Sequence, residues 1–234
     1  MNALRGFLPL FAAIFCLTLT GCNVHTATGP TQHESSSIER DAAKTLRTEL
    51  RMAAGTLKVG GGSPKWMQAD FTYNVPSWKP NVRYTAGDLL IEQPDSGGIH
   101  TGGTTNEWSL QLNDEIPTDL TARVGAGEAR LNLGSLSLRS LDIEMGAGEL
   151  RLDLRGNPRH DYDVKVRGGA GEATVYLPKD AGIYAKATGG LGEIKVRGLR
   201  AEGDHWINDA YGSSKVQLRV DVQGGVGQIN LIAD

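Results

Sequence analysis

Hydrophobic and polar residues alternate along most of the chain from residue 44 onward, but the alternation changes phase at intervals. A typical example has apolar residues first at even and then at odd positions: Leu120, Ala122, Val124 and Ala126, then Ala129, Leu131 and Leu133. Neighbouring side chains of a strand point to opposite faces, so this shift requires a bulge or a corner. The same shift occurs six times and predicts strands that bend at a repeated point.

Each shift coincides with a glycine motif, Gly-x-Gly followed by Glu or Gln. The motif begins at Gly125, Gly146, Gly169, Gly190 and Gly225, with gaps of 21, 23, 21 and 35 residues, and a degenerate copy, "MAAGTLKV", begins at Met52. Such a period is typical of solenoids. We therefore predict an all-β fold for residues 44–234. Its stacked repeats of about 21–23 residues would form a parallel β-helix or a related β-roll, with irregular N-terminal coils.

The glycines are interpreted as corner residues, because glycine adopts backbone angles closed to other residues. A phosphate-binding loop would open a helix, whereas these motifs precede alternating strands such as "EARLNL". In a stack, Glu128, Glu149, Glu172 and Glu193 would form an acidic column beside a basic one. A solvated, largely neutral pair of columns is the favoured interpretation, and a cation site or catalytic carboxylates are the alternatives.

The N-terminus predicts export and lipid anchoring. Arg5 precedes the apolar run "FLPLFAAIFCLTL", which is short for a membrane span, and "LTGC" ends it. These features predict a lipoprotein signal peptide over residues 1–21, with Cys22 acylated, for example by palmitate. A flexible polar tether would follow over residues 22–43. The expected location is the cell envelope outside the cytoplasmic membrane, and the inner and outer membranes both remain open.

The composition narrows the kinds of site and partner that the protein can have. The only other cysteine, Cys16, lies within the predicted signal peptide, so no thiol is left for a metal or redox site. The net charge is −3, and basic and acidic residues are interspersed, which argues against a nucleic-acid partner. We expect no cofactor and no metal, a membrane contact through Cys22, and a protein partner in the envelope.

One loop is a candidate interaction site. The last gap between motifs is about 13 residues longer than the others, and the extra residues lie between Arg197 and Ser214. His205, Trp206, Asp209 and Tyr211 cluster there, in a composition typical of contact patches. The alternative is that Trp206 caps the open end of the stack. Three further tryptophans are expected to pack at the other end: Trp66, Trp78 and Trp108.

Three segments resemble the bacterial toast-rack family, which is related to LiaF-like cell-wall stress proteins. They are "AAGTLKVGGG", "ADFTYNVPSWKPNVRY" and "WSLQLNDEIPTDLTARVGAGEARLNLGSLSLRSLDIEMGAGELRLDL". The resemblance implies a stacked β fold outside the cytoplasmic membrane and a link to envelope stress, and it supplies no catalytic residues. This chain has a lipobox where LiaF-like proteins have transmembrane helices, which weakens any inference of a histidine-kinase partner.

The first functional hypothesis is a non-enzymatic, lipid-anchored scaffold, sensor or interaction module, in keeping with the regular repeats and the lack of a nucleophile, base and orienting set. One alternative is a polysaccharide-active β-helix enzyme, for which "RHDYD" at 159–163 is the nearest candidate site. The other is a surface adhesin. We expect that the chain is not an enzyme.

Overall fold

The computed structural model describes residues 28–94 and 103–234. This part of the chain is built from strands, with one 3-10 turn at Pro76–Trp78. The strands are β1 (Gln32–Ile38), β2 (Leu46–Gly60), β3 (Met67–Tyr73), β4 (Asn81–Thr85), β5 (Asp88–Glu92), β6 (Asn106–Leu112), β7 (Thr118–Asn132), β8 (Leu138–Asp153), β9 (Tyr162–Leu177), β10 (Gly182–Arg197), β11 (Arg200–Glu202), β12 (His205–Ile207) and β13 (Gln217–Ala233).

These strands form one sheet whose middle is parallel and whose ends are antiparallel. Its order is β1-β3-β6-β2-β7-β8-β9-β13-β10-β12-β11, and the β4–β5 hairpin attaches to β2 through β5. Strands β2, β7, β8, β9, β13 and β10 are long, bent and parallel to one another. The all-β stacked fold, with irregular coils toward the N-terminus, is confirmed.

Each long strand bends at its glycine motif, as the phase shift predicts. In β7, burial falls on even positions up to Val124 and on odd positions from Ala129, so both arms direct apolar side chains into one core. The middle residue of the motif differs from the expectation. Ala126 is exposed rather than inward, and so are its counterparts in β8, β9, β10 and β13, whereas Ala54 in β2 is half-buried. The corner of these five coils therefore turns over three exposed residues, two glycines and one apolar residue.

The second glycine of each motif is required by close packing between coils. Gly127 has φ of 124°, and a Cβ added there would lie 2.0 Å from the carbonyl oxygen of Gly55 in the preceding coil. No side chain fits within that distance, and residues other than glycine rarely adopt the φ of Gly127. The glycine motif is thus architectural.

The acidic column forms, but at one end its residues differ from those predicted. Glu128, Glu149 and Glu172 are in register on adjacent strands. Gln228 of β13 then lies between Glu172 and Glu193, because β13 inserts between β9 and β10. The expected column of four glutamates is therefore interrupted by a glutamine, and the last two long strands do not lie in chain order.

The domain boundary also needs correction. Residues 32–38, assigned to the flexible tether, form β1 and pair with β3 along its whole length. Asp41 accepts a hydrogen bond from the indole of Trp66 at 3.0 Å, which fastens the following residues to the domain. The folded unit therefore begins before residue 44. The three tryptophans predicted to pack in this region are buried, with 0–7% of their surface exposed.

In the described ranges, no helix has the length and apolar character needed to cross a membrane.

Candidate interaction site at the end of the stack

The long loop predicted from the motif spacing lies at the end of the sheet opposite β1. Its residues form the β11–β12 hairpin, and β12 pairs with the outer edge of β10, with Ile207 opposite Tyr184 and Trp206 opposite Ala185. The extra residues thus cover the start of the terminal coil. The chain then returns to the other side of β10 as β13.

An aromatic cluster lies on the outward side of this hairpin. The His205 ring stacks on Tyr184, with ring centroids 4.4 Å apart and an interplanar angle of 25°. Tyr211 lies 5.8 Å from Tyr184 at 44° and is 41% exposed. The structure therefore brings two of the four predicted residues, His205 and Tyr211, to a common partner, Tyr184. Sequence reasoning missed Tyr184, since it occupies an ordinary strand position.

Charged groups border the cluster. Lys186 Nζ donates to Asp204 Oδ2 at 2.7 Å, and His205 Nδ1 lies 3.1 Å from Asp204 Oδ1. The hydrogen bonds from Lys186 and His205 lower the pKa of Asp204 to about 2. The hydrogen bond to Asp204 in turn raises the pKa of Lys186. Both groups are charged near neutral pH, and they present opposite charges beside the aromatic cluster.

Asn208 fixes the hairpin to the body of the sheet. It is buried, its Nδ2 donates to the carbonyl oxygen of Ala181 at 2.7 Å, and its Oδ1 accepts from the Ile183 amide at 2.8 Å. Its Nδ2 also donates to the carbonyl oxygen of Lys179 at 3.2 Å, so three backbone groups hold one amide side chain and the loop is fixed in one position. This anchor gave no signal in the sequence, where Asn208 looks like any polar loop residue.

Trp206 and Asp209 are not part of the cluster. Residues directly opposite in an antiparallel pair share a face, so Trp206 lies on the inward face with the fully buried Ala185. This position supports the alternative interpretation of Trp206 as a cap over the core. Asp209 is exposed, and its side chain has no hydrogen-bond or ion-pair partner among residues 28–94 and 103–234.

A shallow depression of about 200 Å³ lies beside Tyr184 on the outward face of β9, β13 and β10. Basic and acidic side chains alternate around it: Asp163, Lys165, Lys186, Arg219 and Asp221. Together with the aromatic cluster, it forms a polar and aromatic surface, which we call the end patch. Its composition suits recognition of another polar molecule by hydrogen bonds and ring contacts.

The other candidate residues have structural contacts or fall outside the description. Asp161 of the "RHDYD" segment accepts from the Gln217 amide at 2.8 Å, and burial raises the pKa of Tyr162. This segment, which joins β8 to β9, is thus tied to the start of β13. Within the described ranges, no cluster of three or more His, Cys, Asp or Glu side chains is placed to hold a metal ion. Cys22 lies outside the described residues.

The solved structures similar to this chain include one with a high TM-score. A candidate cell adhesion protein from Clostridium sporogenes is 35% identical, with a TM-score of 0.85, and the match covers 87% of this chain and all of that one. A candidate adhesin from Bacteroides fragilis is 9% identical, with a TM-score of 0.37 and coverage of 89% and 99%. One from Parabacteroides merdae is 12% identical, with a TM-score of 0.28 and coverage of 87% and 98%.

None of the curated proteins compared with the chain matches it. Residues 27–176 match the family model for the N-terminal domain of toast-rack, DUF2154. That stretch runs from β1 through all but the last residue of β9, and it is well over half of the chain. The chain therefore belongs to the toast-rack family.

Proposed function

We propose that this protein is a non-enzymatic, lipid-anchored module of the cell envelope that makes adhesive contacts through its end patch. The observation that carries the proposal is the 35% identity and 0.85 TM-score to a candidate cell adhesion protein over that protein's whole length. At this level of similarity, the arrangement of coils and loops is shared, and a similar use of the surface is the simplest expectation.

The outward faces of the coils support a scaffold rather than a catalytic role. Arg123 donates to Glu144 at 3.1 Å, and Arg167 donates to the same carboxylate at 2.6 Å. These hydrogen bonds lower the pKa of Glu144, Arg167 having the larger effect. A carboxylate held ionised by two arginines is a poor general acid near neutral pH. Glu128 is likewise paired with Arg130.

The geometry of the stack supports presentation of the end patch away from a membrane. Cys22, the proposed acylation site, precedes β1, and β1 and β10 are eight strand spacings apart in the sheet. At about 4.8 Å per spacing, the patch lies about 38 Å from the anchored end. A rigid stack of this length would hold the patch clear of lipid headgroups.

Anchoring is tested by labelling. When cells that express the full chain are grown with radioactive palmitate, the protein should become labelled. The Cys22→Ser variant should not. The variant should also move from the membrane fraction to the soluble fraction of the envelope. Equal labelling of both proteins would contradict the proposed anchor while leaving the adhesive role to be judged separately.

Adhesion is tested by attachment of cells to a surface or to one another. Cells with Tyr211→Ala should adhere severalfold less than cells with the unaltered chain, since the exposed ring of the end patch is removed. Tyr176→Ala is a matched control, because Tyr176 packs under Arg155 on a different face, with the guanidinium 4.6 Å from its ring. Unchanged adhesion of the Tyr211 variant at equal surface abundance would refute the role of the patch.

A further inference from the structure

The two layers of the sheet end at different places beyond the terminal coil. Each long strand bends at its glycine motif into two arms that face each other across the core, and in β10 these arms are 182–189 and 193–197. On the side away from β13, β12 and then β11 extend the first arm, whereas no described strand extends the second. The first layer therefore projects two strand spacings, about 10 Å, beyond the second. We call this step, bordered by residues 193–197 and by the inward face of β12, the ledge.

Core positions of the terminal coil are left uncovered at the ledge. Ile194 is 36% exposed, whereas Ile229, at the same position in β13, is 4% exposed. Val196 is half-buried, and its partner in register, Leu231, is fully buried. Trp206, on the inward face of the hairpin, is also only half-buried. The second arm of every other long strand is paired on both sides, so these side chains are exposed where a neighbouring strand would otherwise cover them.

The edge of β10 at the ledge has backbone groups available for pairing. Strand β12 pairs with β10 only at Tyr184 and Ala185, and no described strand pairs with residues 186–197 on that side. A free edge of this kind is a template for a further strand. Proteins often prevent such pairing with a proline or with a charged side chain on the inward face. Residues 193–197 contain no proline, and their inward side chains, Ile194 and Val196, are apolar.

The β11–β12 hairpin limits what can reach this edge. Either end of a second copy would bring two layers against the terminal coil, and β12 and β11 already occupy the position that one of those layers needs. A single extended segment meets no such obstacle, because it occupies the second layer alone and lies over β12. Leu199 packs against the core just after β10 and closes the ledge at that end. The space therefore has the width of a strand and the length of about five residues.

The outward side chains of the ledge favour an acidic occupant. Glu193 pairs with Lys195 at 3.1 Å, and Arg197 has no ion-pair partner in the described ranges. The three side chains together carry one net positive charge. On an added strand, the residues opposite Lys195 and Arg197 lie on the same outward face as these two cations, and the residues between them lie inward. Acidic residues therefore complement the outward face, and apolar residues cover Ile194 and Val196.

We propose that the ledge binds an extended peptide segment of a partner protein, which adds to β10 as a further strand. The segment alternates apolar residues, which face the core beside Ile194, with acidic residues, which face outward beside Lys195 and Arg197. Backbone hydrogen bonds along the free edge supply affinity, and the alternating side chains supply selectivity. This interaction goes beyond the adhesive role of the end patch and does not depend on it, because the end patch lies on the outward face of the first arm.

The test uses the full chain with Cys22→Ser, so that no detergent is needed, and a fluorescent peptide of sequence Thr-Val-Glu-Val-Glu-Val-Thr. Fluorescence anisotropy should show saturable binding, and the amides of residues 193–197 should exchange more slowly with deuterium in the complex. A peptide with lysine in place of both glutamates should bind about tenfold more weakly, because like charges then face each other across the strands. A peptide methylated at every amide nitrogen cannot donate backbone hydrogen bonds and should not bind.

Matched variants locate the site. Lys195→Glu should weaken binding of the acidic peptide about fivefold and strengthen binding of the lysine peptide by a similar factor. Arg130→Glu is the control, because Arg130 lies in the same outward column in β7, which is paired on both sides, and it should change neither affinity. Equal thermal midpoints show that both variants are folded. Absence of binding by the acidic peptide, equal binding by the Lys195 variant, or binding without protection of residues 193–197 would each overturn the proposal.

Discussion

Two glycines of one corner region can look identical in sequence and differ in what a side chain would meet. Gly127 faces a carbonyl oxygen at 2.0 Å from an added Cβ, whereas Gly168 has 3.8 Å of room. The first is fixed by contact between coils and by its φ of 124°. Neither constraint applies to Gly168. The backbone therefore requires glycine at position 127 but not at position 168.

Substitution by alanine at these positions should therefore have opposite results. Gly127→Ala should lower the free energy of unfolding by about 2 kcal/mol or more, because the strained φ and the backbone clash add. Gly168→Ala should be neutral or stabilising by about 0.4–1 kcal/mol, since the unfolded chain loses freedom and the folded chain has space. Urea denaturation of both variants measures the difference. Equal loss at both positions would mean that the corner tolerates no side chain at all.

At the scale of single residues, the sequence predicted the corners well and the end patch only partly. The phase shift around Val124 and Ala129 reveals the bend because burial enforces alternation on both arms. His205 and Tyr211 were identified from composition. Tyr184 and Asn208 were not, because their importance comes from pairing across the sheet, which the local sequence does not encode.

Among the elements, the first regular coil has a corner with a strand on one side only. Strand β7 pairs with the corner of β2, but no described strand lies on its outer side, where the amides of Ala53 and Ala54 donate instead to Gln93 Oε1, at 3.0 and 3.4 Å. Asn106 Nδ2 donates to the Ala54 carbonyl oxygen at 2.7 Å. Two side chains thus replace a strand. This also explains the degenerate motif, because no described coil lies on the outer side of Ala53 to exclude its methyl group.

Removal of the Asn106 side chain, which takes the place of a strand beside β2, should destabilise the N-terminal end of the sheet. Asn106 is buried, and its Oδ1 also accepts from the Trp108 indole at 3.0 Å. Asn106→Ala would leave the indole and the Ala54 carbonyl oxygen without partners, and it should cost about 1–3 kcal/mol in unfolding free energy. Asn132→Ala, at an exposed strand position, is the control and should change little. A loss below 0.5 kcal/mol for Asn106 would show that water replaces the amide.

Strand β1 shows where sequence reasoning about elements fails. "QHESSSI" has no alternating apolar pattern, since its side chains are partly or fully exposed on both faces. It is a strand because β3 offers a free edge for backbone pairing and not because of its own hydrophobicity. Strands β7 and β8 carry their own pattern and were predicted from it.

For the molecule as a whole, the repeat spacing predicts the number and length of coils but not their order. Each coil presents nearly the same glycines and the same buried ladder to both neighbours, so β10 and β13 are interchangeable in pattern. Only the gap of 35 residues, which is long enough to cross back over β10, permits the exchange. The last strand of the chain thus separates β9 from β10.

This order makes the terminal coil depend on β13, a strand that is synthesised after it. Strand β10 forms its parallel pairs with β13 from Gly182 to Arg197 and has no pairing with β9. A chain ending at residue 214 lacks β13, so the hydrophobic face of β10 and the β11–β12 hairpin have no place to dock. Hydrogen exchange followed by mass spectrometry should show fast exchange over residues 182–207 and continued protection of β2, β7 and β8. A chain that lacks only residues 232–234 is the control and should stay protected throughout. If β10 instead remains protected in the shorter chain, it has docked on β9 directly, and β13 is then an inserted strand that the terminal coil does not need for its stability.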